Sequence, residues 1–454
     1  MRLKPTPLPE GLPALRIEMS EWMSVGPSQN PSLKGFSLRP DMRVAQLAET
    51  LRGKFDLREG LDGLEITSTS FVGLVDLGPL RISVRPKLPN MPLAQLLRYA
   101  YGLRDVKVHG EAQSPTIRYG LHDLLISLLA EEVEELLHRG LSRRYVPLSA
   151  DLENPRGRIV MNQIVRKGGV REAKLPCLYF ERQTDWHLNR VLRSGLEIAA
   201  KMTEDRDLRF RLHRLSAMFY GVDFNAKLTA DDVEWAQLSL TRLTAACQPA
   251  LTLIGLLRNM LGLSFDSAQK PSRTPGFLFD MNIFFQRLLS RFLKDNLTDA
   301  RIDDEQPFRD LFAYAPDANP RRRAAPAPRP DYAISRGNHL SGFLDAKYRD
   351  VWDKGLPAEW LYQLSIYALA SPCNVSVLLY ASMAATARDE RIEVRQPVAS
   401  PQGFSASVII RPVPLKYLAD ILNPANSLSS RLARSRLANQ LAVTTTQQLD
   451  LAAG

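Results

Sequence analysis

Three patterns of apolar and polar positions succeed one another along the chain. Up to about residue 90 the apolar residues come in short or alternating runs punctuated by glycine and proline, as in GLEITSTSFVGLVDLGPLRISVRP (63–86). That pattern predicts a β-rich domain over residues 1–90. Further on, Leu121, Leu124, Leu125, Leu128, Leu129, Val133, Leu136 and Leu137 recur at three- and four-residue intervals, with Gly140 placed to end a helix and the charges of EEVEELLHR on its solvated face. Residues 231–262 repeat the helical pattern in two segments broken at Pro249, so residues 91–275 read as a mainly helical middle region.

The third region, 276–454, opens with GFLFDMNIFFQRLLSRFLKDNL (276–297), a helix carrying Ile283, Phe284, Leu288, Leu289 and Phe292 on one side. APDANPRRRAAPAPRP (315–330) holds too many prolines and arginines to pack a core and reads as loop. Strands follow over 331–336 and 340–348, then a helix over 356–370 and strands over 374–381 and near 406–412. This order predicts an α/β unit on a mixed sheet.

Composition narrows the function classes. A chain of 454 residues exceeds what one core usually serves. With 45% hydrophobic and 24% charged residues and no apolar run long enough to span a bilayer, it is expected to be soluble, with no membrane partner. The N-terminus MRLKPTPLPEGLPALRIEM is interrupted by prolines and charges and carries no secretory signal, which places the protein in the cytoplasm. Cys177, Cys247 and Cys373 are far apart and make no CxxC, so disulfides, structural zinc and iron–sulfur clusters are not expected. The six histidines form no HxxxH pair. A net charge of +10 favours a polyanionic partner without identifying one.

The stretch with chemistry is SGFLDAKYRD (341–350), where Asp345 and Lys347 sit inside an apolar run. Residues i and i+2 of a strand share a face, so these two project together while Leu344 and Ala346 face the other way. A carboxylate holds a hard divalent cation through oxygen, and a neighbouring ammonium orients a water beside it. Asp331, in RPDYAIS, heads a short run able to pair with that strand and bring a second carboxylate alongside. The same triplet spacing recurs at Asp105–Lys107 and Glu172–Lys174, but neither follows a Pro-Asp strand start, and Pro316-Asp317 lies inside the proline-rich loop. Gln363 and Tyr367, four apart, share one face of the following helix. Arg321, Arg322, Arg323 and Arg329 in the loop suit phosphate contact or plain solvation.

The series PD, DAK, QxxxY resembles the PD-(D/E)xK nuclease superfamily and its QxxxY subgroup. The wider chain is similar to the McrC family, the nuclease subunits of McrBC modification-dependent restriction systems, and to LlaJI-type relatives. ISVRPKLPNMPLAQLLRYAYGL, GLSRRYV, NPRGRI and DWHLNRVL carry that similarity as well, so it covers roughly residues 80–200 and 276–382. The resemblance implies a multidomain α+β and α/β fold, with an N-terminal β-rich, partner-binding domain, a helical region, and a C-terminal restriction-endonuclease-like α/β domain on a mixed central sheet. It implies that Asp331 and Asp345 bind Mg²⁺, with Mn²⁺ as a substitute, that Lys347 positions or activates the attacking water, and that Gln363 and Tyr367 line the site near DNA. The family often places a glutamate on the first helix of this domain where the chain has Gln286, which leaves Asp304, Glu305 or no residue as a further acidic ligand.

The implied partners are double-stranded DNA carrying 5-methylcytosine-type modification and an McrB-like AAA+ GTPase ring that this chain stimulates. The chain has no GxxxxGK[ST] loop, so no nucleotide is expected to bind it. Two other readings stay open: a stand-alone QxxxY nuclease for repair or DNA-end processing, and a noncatalytic adaptor that activates a AAA+ ring.

Overall fold

The computed structural model describes residues 15–38, 41–86, 93–103, 120–170, 173–225, 227–261, 276–309, 311–315, 317–395, 406–423 and 427–443. Pro316, the triplet at 105–107 and Glu172 lie outside them. The chain forms two compact units, one built from residues 1–105 together with 278–454 and the other from 106–277. The N-terminal segment therefore belongs to the same unit as the C-terminal one.

In that first unit, β1 (Leu15–Ser20), β2 (Ser24–Val25), α1 (Met42–Thr50), β3 (Phe55–Gly60), β4 (Gly63–Ser68), β5 (Phe71–Leu77), β6 (Leu80–Arg85) and α2 (Leu93–Tyr101) come first. β2, β4 and β3 form a small antiparallel sheet in the order β2-β4-β3. Gly63 makes its tight turn possible: φ is +137°, and an added Cβ would stand 2.0 Å from the Leu33 carbonyl oxygen.

The second unit holds α3 (Leu121–His138), β7 (Arg144–Leu152), β8 (Arg158–Ile159), α4 (Met161–Arg166), β9 (Leu175–Gln183), α5 (His187–Met202), α6 (Arg206–Ala217), α7 (Ala230–Leu238) and α8 (Gln248–Leu261). The leucine stripe of α3 is core as expected from Leu121 to Val133, and Gly140 beyond its end takes φ +87°. Glu132 departs from the expected solvated face and is buried. Pro249 lies in the first turn of α8, where its missing N–H costs nothing, so the break precedes it. The helices are accompanied by an antiparallel sheet, β7-β9-β8, that helical periodicity does not announce.

The chain then continues as β10 (Phe277–Asp280), α9 (Met281–Asn296), β11 (Arg301–Asp304), β12 (Tyr332–Arg336), β13 (His339–Lys347), α10 (Val351–Lys354), α11 (Ala358–Ala370), β14 (Val375–Ser382), β15 (Glu390–Val394), β16 (Ala406–Pro414), α12 (Leu415–Ile421) and α13 (Ser427–Ala442). Here the sequence expectation of one helix over 276–297 is corrected. The apolar run FLF is a strand, β10, that extends the sheet β1-β6-β5-β10, and the helix starts only at Asp280, whose carboxylate accepts the Asn282 N–H at 2.9 Å. Along α9 the buried side is Phe284, Phe285, Leu288, Leu289 and Phe292, whereas Ile283 is 60% exposed.

The larger sheet runs β11-β12-β13-β14-β16-β15 and is mixed: β13, β14 and β16 are parallel, and the remaining neighbours are antiparallel. Its central strand β14 is buried at every position, which explains its largely apolar sequence, and the buried Ser376 hydroxyl donates to the Leu364 carbonyl at 2.7 Å. One face packs Phe343, Leu378, Tyr380, Val408 and Ile410 with Leu364 and Tyr367 of α11. No helix among the described residues is long and apolar enough to cross a membrane.

Candidate active site

The strand pair β12–β13 sets the geometry. In its antiparallel register Tyr332 lies opposite Leu344, so Asp331, just before β12, falls beside Asp345 and Ala346. The Asp331 carboxylate is fixed there: Oδ2 accepts the Ala346 backbone N–H at 2.7 Å, and Oδ1 accepts from Gln286 Nε2 at 3.0 Å. Gln286 is carried over the strands by α9, and its backbone carbonyl in turn accepts the Tyr332 hydroxyl at 2.6 Å.

Asp345 is 2% exposed. Its Oδ2 pairs with Lys347 Nζ at 2.7 Å, as the i, i+2 spacing requires, while Oδ1 is buried with no hydrogen-bond partner. A buried carboxylate oxygen left bare is costly unless something else occupies that side.

The electrostatics follow from this crowding. Burial raises the Asp331 carboxyl, the neighbouring Asp345 charge raises it further, and Lys347, the Ala346 N–H and Gln286 pull only part of the way back, leaving it at about 7. Burial raises Asp345 as well, against the pull of Lys347. For Lys347 burial works against the charge, but Asp345 and Asp331 outweigh it, and its pKa is raised. Two carboxyls and one ammonium thus share a site whose second negative charge is held reluctantly, a state that a divalent cation relieves.

The donor set suits such a cation. Magnesium is bound through one or two carboxylates and keeps several of its waters, and here two carboxyls converge with one oxygen bare. Among the described residues no group of three or more His, Cys, Asp or Glu side chains is arranged as metal ligands. Asp304 is engaged elsewhere, accepting Ser290 Oγ on both oxygens at 2.9 Å and pairing with Lys294. Glu305 is exposed, with φ +48°, and gives its backbone N–H to the Asp331 carbonyl at 3.1 Å. Gln286, Asp304, Glu305 and Asp331 all line an open cavity of about 540 Å³.

Gln363 and Tyr367 meet as their spacing predicts, with Gln363 Nε2 donating to the Tyr367 hydroxyl at 2.9 Å. Tyr367 is buried against Phe343; burial raises its pKa, and the charges of Asp345, Asp331 and Lys347 all act on it, so α11 faces the carboxylates. The proline-rich loop leaves and rejoins the sheet beside Asp331, clasped by Phe308 N–H to the Pro328 carbonyl at 2.9 Å. Arg321, Arg322, Arg323 and Arg329 are solvent-exposed on that loop, outside the hydrogen-bonded cluster. Trp360 escaped the sequence reading, although it stands three residues before Gln363 on the same helix face; Lys347 Nζ lies 5.9 Å from its ring centre.

A mixed sheet whose paired strands bring together a buried carboxyl, a half-buried one and a half-buried lysine, roofed by flanking helices, defines an acid–acid–lysine site on an α/β scaffold. The chain belongs to the family described as McrBC 5-methylcytosine restriction system component, whose sequence pattern matches residues 66–381. A chain of the half-complex from a tetradecameric assembly of Thermococcus gammatolerans McrB AAA+ hexamers with bound McrC has a similar fold. It is 20% identical with a TM-score of 0.59, over 94% of this chain and 99% of that one. A chain of the Thermococcus gammatolerans McrBC complex, 21% identical, aligns over 63% of this chain and 89% of that one with a TM-score of 0.44. Comparison with curated proteins gives no match.

Proposed function

We propose that this chain is the Mg²⁺-dependent endonuclease subunit of a modification-dependent restriction system, with a PD-(D/E)xK nuclease centre at Asp331, Asp345 and Lys347. The observation that carries this reading is the carboxylate pair of Asp331 and the buried Asp345, brought together by the β12–β13 register, with one Asp345 oxygen bare and the other paired to Lys347.

In this reading Asp331 and Asp345 would hold the cation, which would supply Lewis acidity at the scissile phosphate. Lys347, kept charged by both carboxylates, orients the attacking water and stabilises negative charge on the phosphate. Gln286 holds the Asp331 carboxylate in place through its amide, where a glutamate would add charge. Gln363 and Tyr367 brace the α11 side of the site. The exposed arginines of the loop at 321–329 supply phosphate contacts, and affinity for DNA falls as salt rises.

Membership in a 5-methylcytosine restriction family supports a modified-DNA substrate, and the likeness in fold to a chain of an McrB–McrC assembly supports a AAA+ GTPase ring as partner. The test is cleavage of methylated and unmethylated plasmid with Mg²⁺, with and without the ring protein and GTP, comparing wild type with Asp345→Ala. Cleavage that needs Mg²⁺, the ring protein, GTP and Asp345 is the expected result. Cleavage by the chain alone would favour a stand-alone nuclease, and stimulation of the ring's GTPase by both proteins without any cleavage would favour an adaptor.

A further inference from the structure

One cation close to this centre stands without a counter-charge. Arg349 lies two residues beyond Lys347, and its guanidinium carbon is 5.6 Å from the Trp22 ring centre and 5.7 Å from that of Trp360. Trp360 is also the ring beneath Lys347. The Nε of Arg349 is buried without a hydrogen-bond partner, and among the described residues no carboxylate pairs with the guanidinium. Two other arginines of this unit are neutralised instead: Arg81 by Asp76 at 2.6 Å, and Arg411 by Asp389 at 2.8 Å.

Two aromatic rings within 6 Å attract a guanidinium through their faces, but they accept none of its five N–H bonds. A packing arginine near the surface normally directs those N–H groups to a carbonyl or carboxylate. Arg349 instead has donors to spare, over the same Trp360 ring that lies beneath Lys347. A planar fork of this kind matches the paired oxygens of a phosphate.

The Trp22 wall is built with some strain. Trp22 takes φ +57°, a backbone conformation a bulky side chain rarely adopts, in the tight turn between β1 and β2. The turn is pinned by Glu21 N–H to the Arg85 carbonyl and Trp22 N–H to the Thr69 carbonyl, both at 3.3 Å. Its position is therefore set by the N-terminal sheets, while Arg349 and Trp360 come from the C-terminal part of the same unit.

We propose that Arg349, flanked by Trp22 and Trp360, binds a backbone phosphate of the DNA strand beside the Asp331–Asp345–Lys347 centre, so that the N-terminal β segment completes the nucleic-acid site. This rests on the nuclease reading. The experiment measures binding of a labelled duplex by the full-length Asp345→Asn protein over a salt series, alone and with Arg349→Gln, Arg349→Lys or Trp22→Leu added, alongside melting temperatures. Arg349→Gln is expected to weaken binding about tenfold and to lower the log–log salt slope by about 1. Arg349→Lys keeps the charge and the slope, and Trp22→Leu weakens binding with the slope retained. Unchanged affinity and slope in Arg349→Gln, or equal losses of melting temperature in the Gln and Lys variants with no change in binding, would make Arg349 a packing staple and overturn the proposal. Mg²⁺-dependent cleavage by wild type alongside that result leaves the nuclease reading standing. No DNA binding and no cleavage by wild type under any condition would overturn both.

Discussion

The carboxylate of Asp331 accepts the backbone N–H of Ala346 across the β12–β13 pair, which ties the acidic group on one strand to the residue that separates Asp345 from Lys347 on the next. The bond fixes the two carboxyls in each other's field, and the consequence is a titration that can be measured.

Burial and the Asp345 charge raise Asp331 from the ordinary value of 3.8 to about 7. A carboxyl raised in the folded state contributes stability that is complete below the unfolded value and is lost as pH rises through the folded one. The metal-free protein should therefore lose melting temperature between about pH 4 and 7 through this group, and Asp331→Asn should flatten that part of the profile. A divalent cation takes the deprotonated pair, so its apparent affinity should rise up to about tenfold per pH unit below pH 7 and level off above it. Calorimetric titration of the full chain with Mn²⁺ at several pH values reads this directly, and an affinity independent of pH would contradict the assigned pair.

Lys347 is the partner that makes Asp345 tolerable. Replacing it as Lys347→Met keeps an unbranched chain but leaves a carboxyl that is 2% exposed without its ion pair. Breaking a buried pair from one side typically costs about 3–5 kcal/mol, less where the orphaned acid can take up a proton. Denaturant unfolding without metal should show the larger loss at pH 8 and a smaller one at pH 5.5. Cleavage should fall by roughly 10²–10⁴-fold if the ammonium acts on the attacking water. A variant as stable as wild type at pH 8 would mean that Asp345 is already protonated there.

The acid–acid–lysine cluster was legible because strand geometry is strict: a spacing of two fixes a shared face, and a Pro-Asp start followed by an apolar strand fixes the register within a residue. The elements carrying it, β12, β13, α11, β14 and β16, lie close to their expected bounds. The FLF run at 277–279 was not legible, since a short apolar run fits helix or strand alike, and a pairing with β5 two hundred residues earlier in the chain decides it. The NPRGRI motif has a structural explanation that spacing does not disclose. Gly157 takes φ +69°, and an added Cβ would stand 2.4 Å from the Leu178 carbonyl oxygen where β8 meets β9. Trp22 and Arg349 carry no local signal, because only the packing of distant segments brings them together, and Trp360 could have been found only from its place on the Gln363 face of α11.

Gln286 offers the sharpest test of what the cluster is for. Its amide donates to Asp331 Oδ1, so Gln286→Glu exchanges a hydrogen-bond donor for a third carboxylate at that oxygen. Without metal the change should lower stability at neutral pH, because three acids then share a buried site with one lysine. With a divalent cation present the added oxygen becomes a further hard ligand, and the gain in melting temperature on adding Mn²⁺ should exceed that of wild type. The neutral Gln286→Leu variant separates the two effects: it loses the hydrogen bond, at about 1–3 kcal/mol for the donor withdrawn from a half-buried acid, and its gain in melting temperature with Mn²⁺ does not exceed that of wild type. A Gln286→Glu protein that is destabilised yet stabilised by Mn²⁺ no more than wild type would place the cation away from α9, on the Asp345 side of the pair.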